Sequence, residues 1–269
     1  MAVLGRNIAV MVKGGGDLAS GVAWRLWQCG FQVVVTEIPA PTVIRRRVAF
    51  ATAVWEGETT VDGVRARRVE GLEGVRRAWA EGVLPVVVDP EAAIVRELRP
   101  DVVVDAILAK RNLGTRITDA PLVIGLGPGF TAGEDVHAVI ETMRGHTLGR
   151  VIWRGQALAN TGIPGEVGGH SELRVVRAPC AGEFRGVREI GDLVDVGDIV
   201  AYVGGEPVRV RLKGVLRGLL HDGLQVSPNM KVGDVDPRAE REHCFTISDK
   251  ALAIAGGVLE AILHAMRAA

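Results

Sequence analysis

The stretch Ile8-Ala9-Val10-Met11-Val12-Lys13-Gly14-Gly15-Gly16-Asp17-Leu18-Ala19 decides how the first half of the chain is read. An apolar run breaking into three glycines predicts a strand, a tight turn and the start of a helix. Gly14, Gly16 and Ala19 fit the Gly-x-Gly-x-x-Ala spacing of a dinucleotide-binding turn. In such a turn Gly14 permits the bend, Gly16 lets the backbone approach a pyrophosphate, and Ala19 lets helix and strand pack closely. The helix N-terminus then offers N–H groups and a positive dipole end to an anion. A second apolar run, Val33-Val34-Val35, ends in Thr36-Glu37 and places an acid where ribose hydroxyls are held, a few residues further along than usual. Lys13 precedes the turn, and Asp17 brings a negative charge to the helix end that would receive phosphate, or caps that helix. The same residues also fit a turn of this shape that holds no nucleotide.

The chain has 269 residues, 48% of them hydrophobic, with 35 glycines, enough for two domains. A net charge of +0 gives no pull toward nucleic acid or membrane. Residues Met1 to Arg6 carry no leader pattern, and the longest apolar run, Ala251 to Leu263, is interrupted by Glu260. Cys29, Cys180 and Cys244 are scattered and odd in number, which points to reduced thiols and a cytoplasmic protein.

Up to about residue 155 strand and helix patterns alternate. Strands are expected at 8–12, 32–36, 85–88, 102–107, 122–126 and 150–153, and helices at 17–29, 71–81, 90–98 and 134–144. In the last of these helices Val136, Val139, Ile140 and Met143 form an apolar stripe. Val61-Asp62-Gly63-Val64 reads as a hairpin turn. The expected fold class is α/β, with a Rossmann-like, mostly parallel sheet over residues 1–170.

Past residue 170 short strands are punctuated by glycine, and a motif repeats: Ala181-Gly182-Glu183-Phe184-Arg185-Gly186-Val187 recurs as Lys213-Gly214-Val215-Leu216-Arg217-Gly218-Leu219. The two halves resemble the biotinyl/lipoyl carrier fold, a barrel-sandwich, here over residues 171–238. The hairpin between them, Val203-Gly204-Gly205-Glu206-Pro207, lacks the carrier lysine, so an unmodified docking module is expected. Residues 239–269 close with a helix from Ser248, its expected N-cap, to Arg267, packing back on the first domain with Gly256-Gly257 at a close contact.

Ligands of open parallel sheets bind beyond the carboxyl ends of the strands. There lie Leu108-Ala109-Lys110-Arg111-Asn112-Leu113-Gly114-Thr115 and Gly125-Leu126-Gly127-Pro128-Gly129-Phe130-Thr131-Ala132-Gly133, the second a glycine-rich nest suited to an anion. The candidate ligand-binding residues are therefore Lys13, Gly14, Gly16, Asp17, Glu37, Lys110, Asn112, Gly127, Gly129 and Thr131. Asn160-Thr161-Gly162-Ile163-Pro164-Gly165 is polar and rigid without an assignable role. Glu134, His137 and Glu141 share a helical face at a spacing that fits a metal or acid–base work, though such a face is more often simply solvated. Arg45-Arg46-Arg47 form a basic turn, and no serine or cysteine nucleophile has a recognisable neighbourhood.

With Arg144-Gly145-His146, Asn160-Thr161-Gly162, Asp234-Val235-Asp236-Pro237-Arg238 and Ile247-Ser248-Asp249-Lys250-Ala251, these motifs resemble the YqeB family of the selenium-dependent molybdenum hydroxylase system. The resemblance implies a maturation role: helping to install a selenium-containing molybdenum cofactor in a xanthine-dehydrogenase-like hydroxylase. It carries over no catalytic residue. The ligand expected is NAD(P) or a molybdopterin dinucleotide, whose pyrophosphate the first turn would cradle, and the expected partner is the hydroxylase. The competing readings are an NAD(P)-dependent oxidoreductase with Glu37 on the ribose, and a non-catalytic scaffold docking through the repeat domain.

Overall fold

A computed structural model describes residues 8–162 and 165–268. The leader reading of residues 1–6, positions Ile163 and Pro164 of the polar loop, and Ala269 lie outside the described residues. The chain divides into two compact units. Unit 1 comprises the chain through Pro41, Phe50–Asn160 and the segment from Ile247 onward; unit 2 comprises Thr42–Ala49 and Thr161–Thr246. This partition differs from a division at residues 170 and 238.

Unit 1 contains β1 (Ala9–Lys13), α1 (Asp17–Gln28), β2 (Gln32–Glu37), α2 (Ala53–Glu56), β3 (Glu58–Val61), β4 (Val64–Val69), α3 (Gly71–Ala80), β5 (Leu84–Val88) and α4 (Val95–Leu98). It continues through β6 (Val102–Asp105), β7 (Leu122–Leu126), β8 (Ala138–Ile140) and β9 (Val151–Ile152), and the chain's last helix, α5 (Asp249–Ala268), returns to it. The strands form one sheet of order β3-β4-β5-β2-β1-β6-β7-β8-β9. Pairing is parallel from β4 through β8 and antiparallel at β3–β4 and β8–β9. The direction of crossover reverses at β1, between β2 and β6. Val33, Val34 and Val35 are all buried, as are Val102, Val103 and Val104, because both faces of these strands are covered.

The sheet corrects the Rossmann-like expectation. It is mixed, and its second half lacks crossover helices: residues 106–121 and 127–137 link β6, β7 and β8 without one. The helix expected at 134–144 is instead strand β8. Val123 N–H donates to His137 Nδ1 at 2.9 Å and His137 N–H donates to the Val123 carbonyl at 2.8 Å, extending the β7 ladder. Val136, Val139 and Ile140 are buried between two layers, where helical and strand spacing of a short apolar run look alike. The helix expected at 90–98 survives only as α4, after Ala92 turns at φ 50°.

Helix α5 supplies what those crossovers omit, packing on α1, β7, β8 and β9. Gly21 of α1 makes this possible: a Cβ there would stand 2.7 Å from that of Ala251. The α5 N-cap is as expected, Ser248 Oγ accepting from Ala251 N–H at 3.2 Å. Of the helix's paired glycines, Gly257 lies against the Gly149 carbonyl and Ile140, whereas Gly256 faces open space.

Unit 2 contains β10 (Val175–Arg177), β11 (Gly182–Gly186), β12 (Leu193–Val194), β13 (Ile199–Val203), β14 (Glu206–Arg209), β15 (Gly214–Leu219), β16 (Gln225–Val226) and β17 (Lys231–Asp236). They form two separate four-stranded antiparallel sheets, β10-β17-β15-β12 and β14-β13-β11-β16. The biotinyl/lipoyl-like barrel-sandwich expectation is corrected here. The repeated segments do become β11 and β15, but they are not equivalent halves. β11 alternates between exposed and buried residues, while all six residues of β15 are buried. The unit also recruits Thr42–Ala49: Leu219 N–H donates to the Ile44 carbonyl at 2.9 Å and Arg46 Nε to the Leu219 carbonyl at 2.8 Å. The basic turn is thus structural, with Arg45 donating to the His243 and Thr246 carbonyls.

At the centre of unit 2 is an ion network. Arg217 bridges Asp234 and Asp236 at 3.0 and 3.3 Å, and Arg174 meets Asp234 at 3.0 Å. Burial pushes the Asp236 carboxyl up, but hydrogen bonds from Arg238 and the charges of Arg217 and Arg238 outweigh it and hold it at about 2.

Two outcomes follow from this packing. Gly257→Ala is expected to destabilise unit 1 by about 1–3 kcal/mol through overpacking, while Gly256→Ala stabilises by about 1 kcal/mol through helix propensity. Denaturant titration followed by tryptophan fluorescence reads this, since all five tryptophans fall in unit 1. The Asp236 network contributes stability above the unfolded carboxylate value of 3.8, lost as pH falls through about 2. Asp236→Asn should flatten that acid limb, on the order of 2 kcal/mol, in circular-dichroism denaturation measured from pH 5 to pH 2.

Candidate functional site

The site forms at the carboxyl ends of β1, β2, β6, β7 and β8, all in unit 1. Gly14 bends the chain at φ +91° while its N–H still donates to the Thr36 carbonyl at 2.8 Å, continuing the β1–β2 ladder. A Cβ on Gly14 would lie 3.2 Å from the Ala106 carbonyl and Ile107 Cα, so the crossover-reversal point is filled by the chain itself.

Gly15, which sequence reading passed over, is gripped from both sides. Its N–H donates to Glu37 Oε2 at 2.7 Å, and its carbonyl accepts from Ala51 N–H at 2.9 Å and from Ser20 Oγ at 3.1 Å. Glu37 is therefore an anchor. Its second oxygen accepts from Ile38 N–H at 2.8 Å, leaving the carboxylate committed to backbone rather than poised for ribose hydroxyls. Burial raises its pKa, opposed by the two N–H donors.

Gly16, not Asp17, is the α1 N-cap. It has extended φ/ψ, and its carbonyl accepts from Ser20 N–H at 2.7 Å. Asp17 opens the helix, its Oδ1 accepting from Leu18 N–H at 2.9 Å. Lys13 is buried: its ammonium donates to Thr115 Oγ1 at 2.5 Å, Thr115 donates to Asp105 Oδ2 at 2.6 Å, and Lys13 stands 3.6 Å from the same carboxylate. Asp105 and Thr115 were missed; an acid closing an otherwise apolar strand was the available signal.

This triad ties down the loop of residues 106–115. Asn112 accepts from the N–H groups of Gly114 and Thr115 and donates to the Thr115 carbonyl at 2.8 Å, folding the loop on itself. Leu108 and Lys110, earlier in the loop, adopt left-handed φ of 61° and 62°. Lys110 and Arg111 are exposed at the tip. The glycine-rich loop buttresses it. Gly129, at φ +111°, leaves no room for a Cβ, which would fall 2.6 Å from Arg111 N. Gly127 similarly backs onto Thr142 Oγ1, so these glycines serve close packing first. Thr131 stays apart, its N–H donating to Asp135 in its own turn and its hydroxyl accepting from the distant Gln156 side chain.

The face expected to group Glu134, His137 and Glu141 does not exist, because the segment is not helical. Glu141 is buried and accepts from Met143 N–H at 2.7 Å and Leu158 N–H at 2.8 Å. Burial lowers the His137 pKa. The start of α5 adds charged groups that lie outside the candidate ligand-binding residues. Arg144 makes a two-pronged pair with Asp249 at 2.8 and 3.1 Å, and Lys250 lies in the field of Arg144, Asp17, Glu141 and Asp249.

The chain is 53% identical over 257 residues, 96% of its length, to the uncharacterized protein YqeB of Escherichia coli (strain K12). It spans about half of that relative, 48% of its length. No family model matches the chain. Among solved structures it is similar to a succinylglutamate desuccinylase/aspartoacylase from Rhodobacter sphaeroides, with 14% identity, TM-score 0.27 and coverage of 86% of this chain and 85% of that one. An aspartoacylase family protein from Mesorhizobium loti has 13% identity, TM-score 0.26 and the same coverage. The ectoine utilization protein EutE (DoeB) from Ruegeria pomeroyi, in its apo structure, has 11% identity, TM-score 0.26 and coverage of 85% and 86%. Likenesses this faint carry no argument about chemistry. None of these names mentions molybdenum, selenium, xanthine dehydrogenase, nucleotide binding or a biotinyl/lipoyl module, so the expectations in those words find no support among these neighbours. No helix among the described residues is long and apolar enough to cross a membrane.

Glu37→Ala leaves the Gly15 N–H without its acceptor and is expected to cost about 1–3 kcal/mol. Glu37→Gln, which keeps one acceptor oxygen, should lose less. Chemical denaturation of the two variants beside the parent protein measures the difference.

Proposed function

We propose that this chain is an accessory protein that binds a phosphate-bearing cofactor at the carboxyl end of the unit 1 sheet and passes it to a client enzyme. The observation that carries this reading is convergence. Segments 13–17, 105–115, 127–129, 141–144 and 249–250 are far apart in sequence, yet linked contacts join Gly14 to Ala106, Lys13 to Thr115, Gly129 to Arg111, Gly127 to Thr142, and Arg144 to Asp249. These segments hold much of the motif set that the family resemblance rests on. Main-chain donors at the start of α1 and the cations of the 106–115 loop and α5 favour an anion.

The sequence resemblance carries the client. It points to a selenium-dependent molybdenum hydroxylase, with a pterin dinucleotide as the cofactor handed over, and the identity to an uncharacterized protein leaves that assignment as a proposal. Delivery requires moderate affinity, so that release to the client stays fast. The commitment of Glu37 to Gly15 and Ile38 argues against a nicotinamide oxidoreductase that would need the same carboxylate on ribose.

Titration calorimetry of the full chain should show saturable binding of inorganic pyrophosphate; absence of heat with pyrophosphate, NAD, NADP and molybdopterin dinucleotides overturns the ligand class. Deleting the gene in the native host should leave the hydroxylase polypeptide present without its selenium-containing centre. A selenium-loaded, active hydroxylase in that strain overturns the client.

A further inference from the structure

Three acids at strand ends of the unit 1 sheet each fix the backbone of an exposed aliphatic residue. Glu37, the last residue of β2, accepts from Ile38 N–H at 2.8 Å, and Asp105, the last of β6, accepts from Ile107 N–H at 3.1 Å. Glu141, just past β8, accepts from Leu158 N–H at 2.8 Å. The three aliphatic residues are 41%, 38% and 55% exposed. Strands β2 and β8 stand four spacings apart in the sheet, so the three are spread over a width of about 19 Å. Exposed aliphatic residues scattered singly need no special cause. Here one device, a carboxylate on the backbone N–H, repeats at three ends of the same sheet.

The loop of residues 106–116 adds charge to this apolar edge. Lys110, Arg111 and Arg116 are exposed, and none of them pairs with an acid among the described residues. The loop holds no acid of its own, and the first to follow, Asp119, takes the Arg116 N–H at 2.9 Å. Leu113, also on this loop, is 50% exposed, and its neighbour Asn112 fixes the turn through the N–H groups of Gly114 and Thr115.

We propose that this end of the unit 1 sheet is a docking surface for a protein whose contact patch has an apolar centre edged by carboxylates. Ile107 and Leu113 anchor the apolar centre, and the loop cations meet the carboxylates. A small anion alone would use the cations and leave the aliphatic side chains in water, whereas a protein surface spans the whole width and covers both. The chain has a net charge of +0 yet gathers three unpaired cations on one acid-free segment, which selects an anionic partner there. Because hydrogen bonds already hold the backbone of the anchors, docking orders little more than side chains. The inference rests on the delivery reading for the identity of the partner, the client hydroxylase, and names the surface that meets it.

Surface plasmon resonance tests it, with the full chain passed over hydroxylase purified from a native-host strain lacking this gene. The parent protein should bind saturably, with association slowed by added salt. Arg111→Glu combined with Arg116→Glu should slow association about tenfold. Leu113→Ser should speed dissociation about tenfold and leave the thermal midpoint unchanged, because the residue is exposed. Variants of both kinds that bind the hydroxylase like the parent overturn the docking surface while leaving client and anion site standing. A charge-reversed protein that loses pyrophosphate in calorimetry but keeps the hydroxylase assigns the cations to a small anion and overturns the inference. Self-association of the parent that Leu113→Ser abolishes makes a second copy the occupant, with the same consequence. A parent that binds pyrophosphate but not the hydroxylase overturns this surface and the client together, and leaves the ligand class intact.

Discussion

The bond from Gly15 N–H to the Glu37 carboxylate is the constraint on which the rest of unit 1 depends. A turn of three glycines has large conformational entropy, and nothing local selects one shape for it. Glu37 supplies the selection from the neighbouring strand, while Ser20 and Ala51 hold the Gly15 carbonyl from the other side. Once Gly15 is fixed, Gly14 extends the β1–β2 ladder, Gly16 caps α1, and α1 presents Gly21 to α5. The acid that sequence spacing assigned to a ligand is thus spent on the architecture that a ligand would meet.

A second grip operates one strand away. The Lys13–Thr115–Asp105 chain of hydrogen bonds lies below the surface at the ends of β1 and β6 and ties a long, helix-free connection to the sheet. It is charged, buried and internally bonded, an arrangement in which a polar network adds rigidity. Above it, Lys110 and Arg111 are exposed on a loop that Asn112 folds back at residues 114–115 and that Gly129 approaches closely. Rigid backbone beneath exposed cations suits an oxyanion, because little ordering entropy remains to be lost on binding.

Strands β1, β2, β5, β6 and β7, helices α1, α3 and α5, and the Asp62-Gly63 hairpin were legible in the sequence, since long periodic runs and turn residues report local preference directly. The segment around Val136–Ile140 was not. Its apolar spacing suits helix and strand equally, and the deciding factor is the long-range pairing of His137 with Val123. The two unequal sheets of unit 2 were hidden for a related reason. The repeat between β11 and β15 is visible, but their burial differs because β15 is covered by distant segments, among them Thr42–Ala49, more than a hundred residues upstream, whose Ile44 meets Gly218 and Leu219. At this end of the sheet the sequence singles out Gly14, Gly16, Gly127, Gly129, Lys13, Glu37 and Asn112, whereas Gly15, Asp105 and Thr115 act through partners that only the folded chain brings near.

Native-state hydrogen exchange at the Gly15 amide tests the central constraint most directly. With Glu37 as its acceptor, Gly15 should exchange as slowly as the amides of β1 and β2, despite lying in a glycine turn. Exchange at the rate of an open loop, with β1 and β2 still protected, would show that the carboxylate does not hold the turn and would contradict the account.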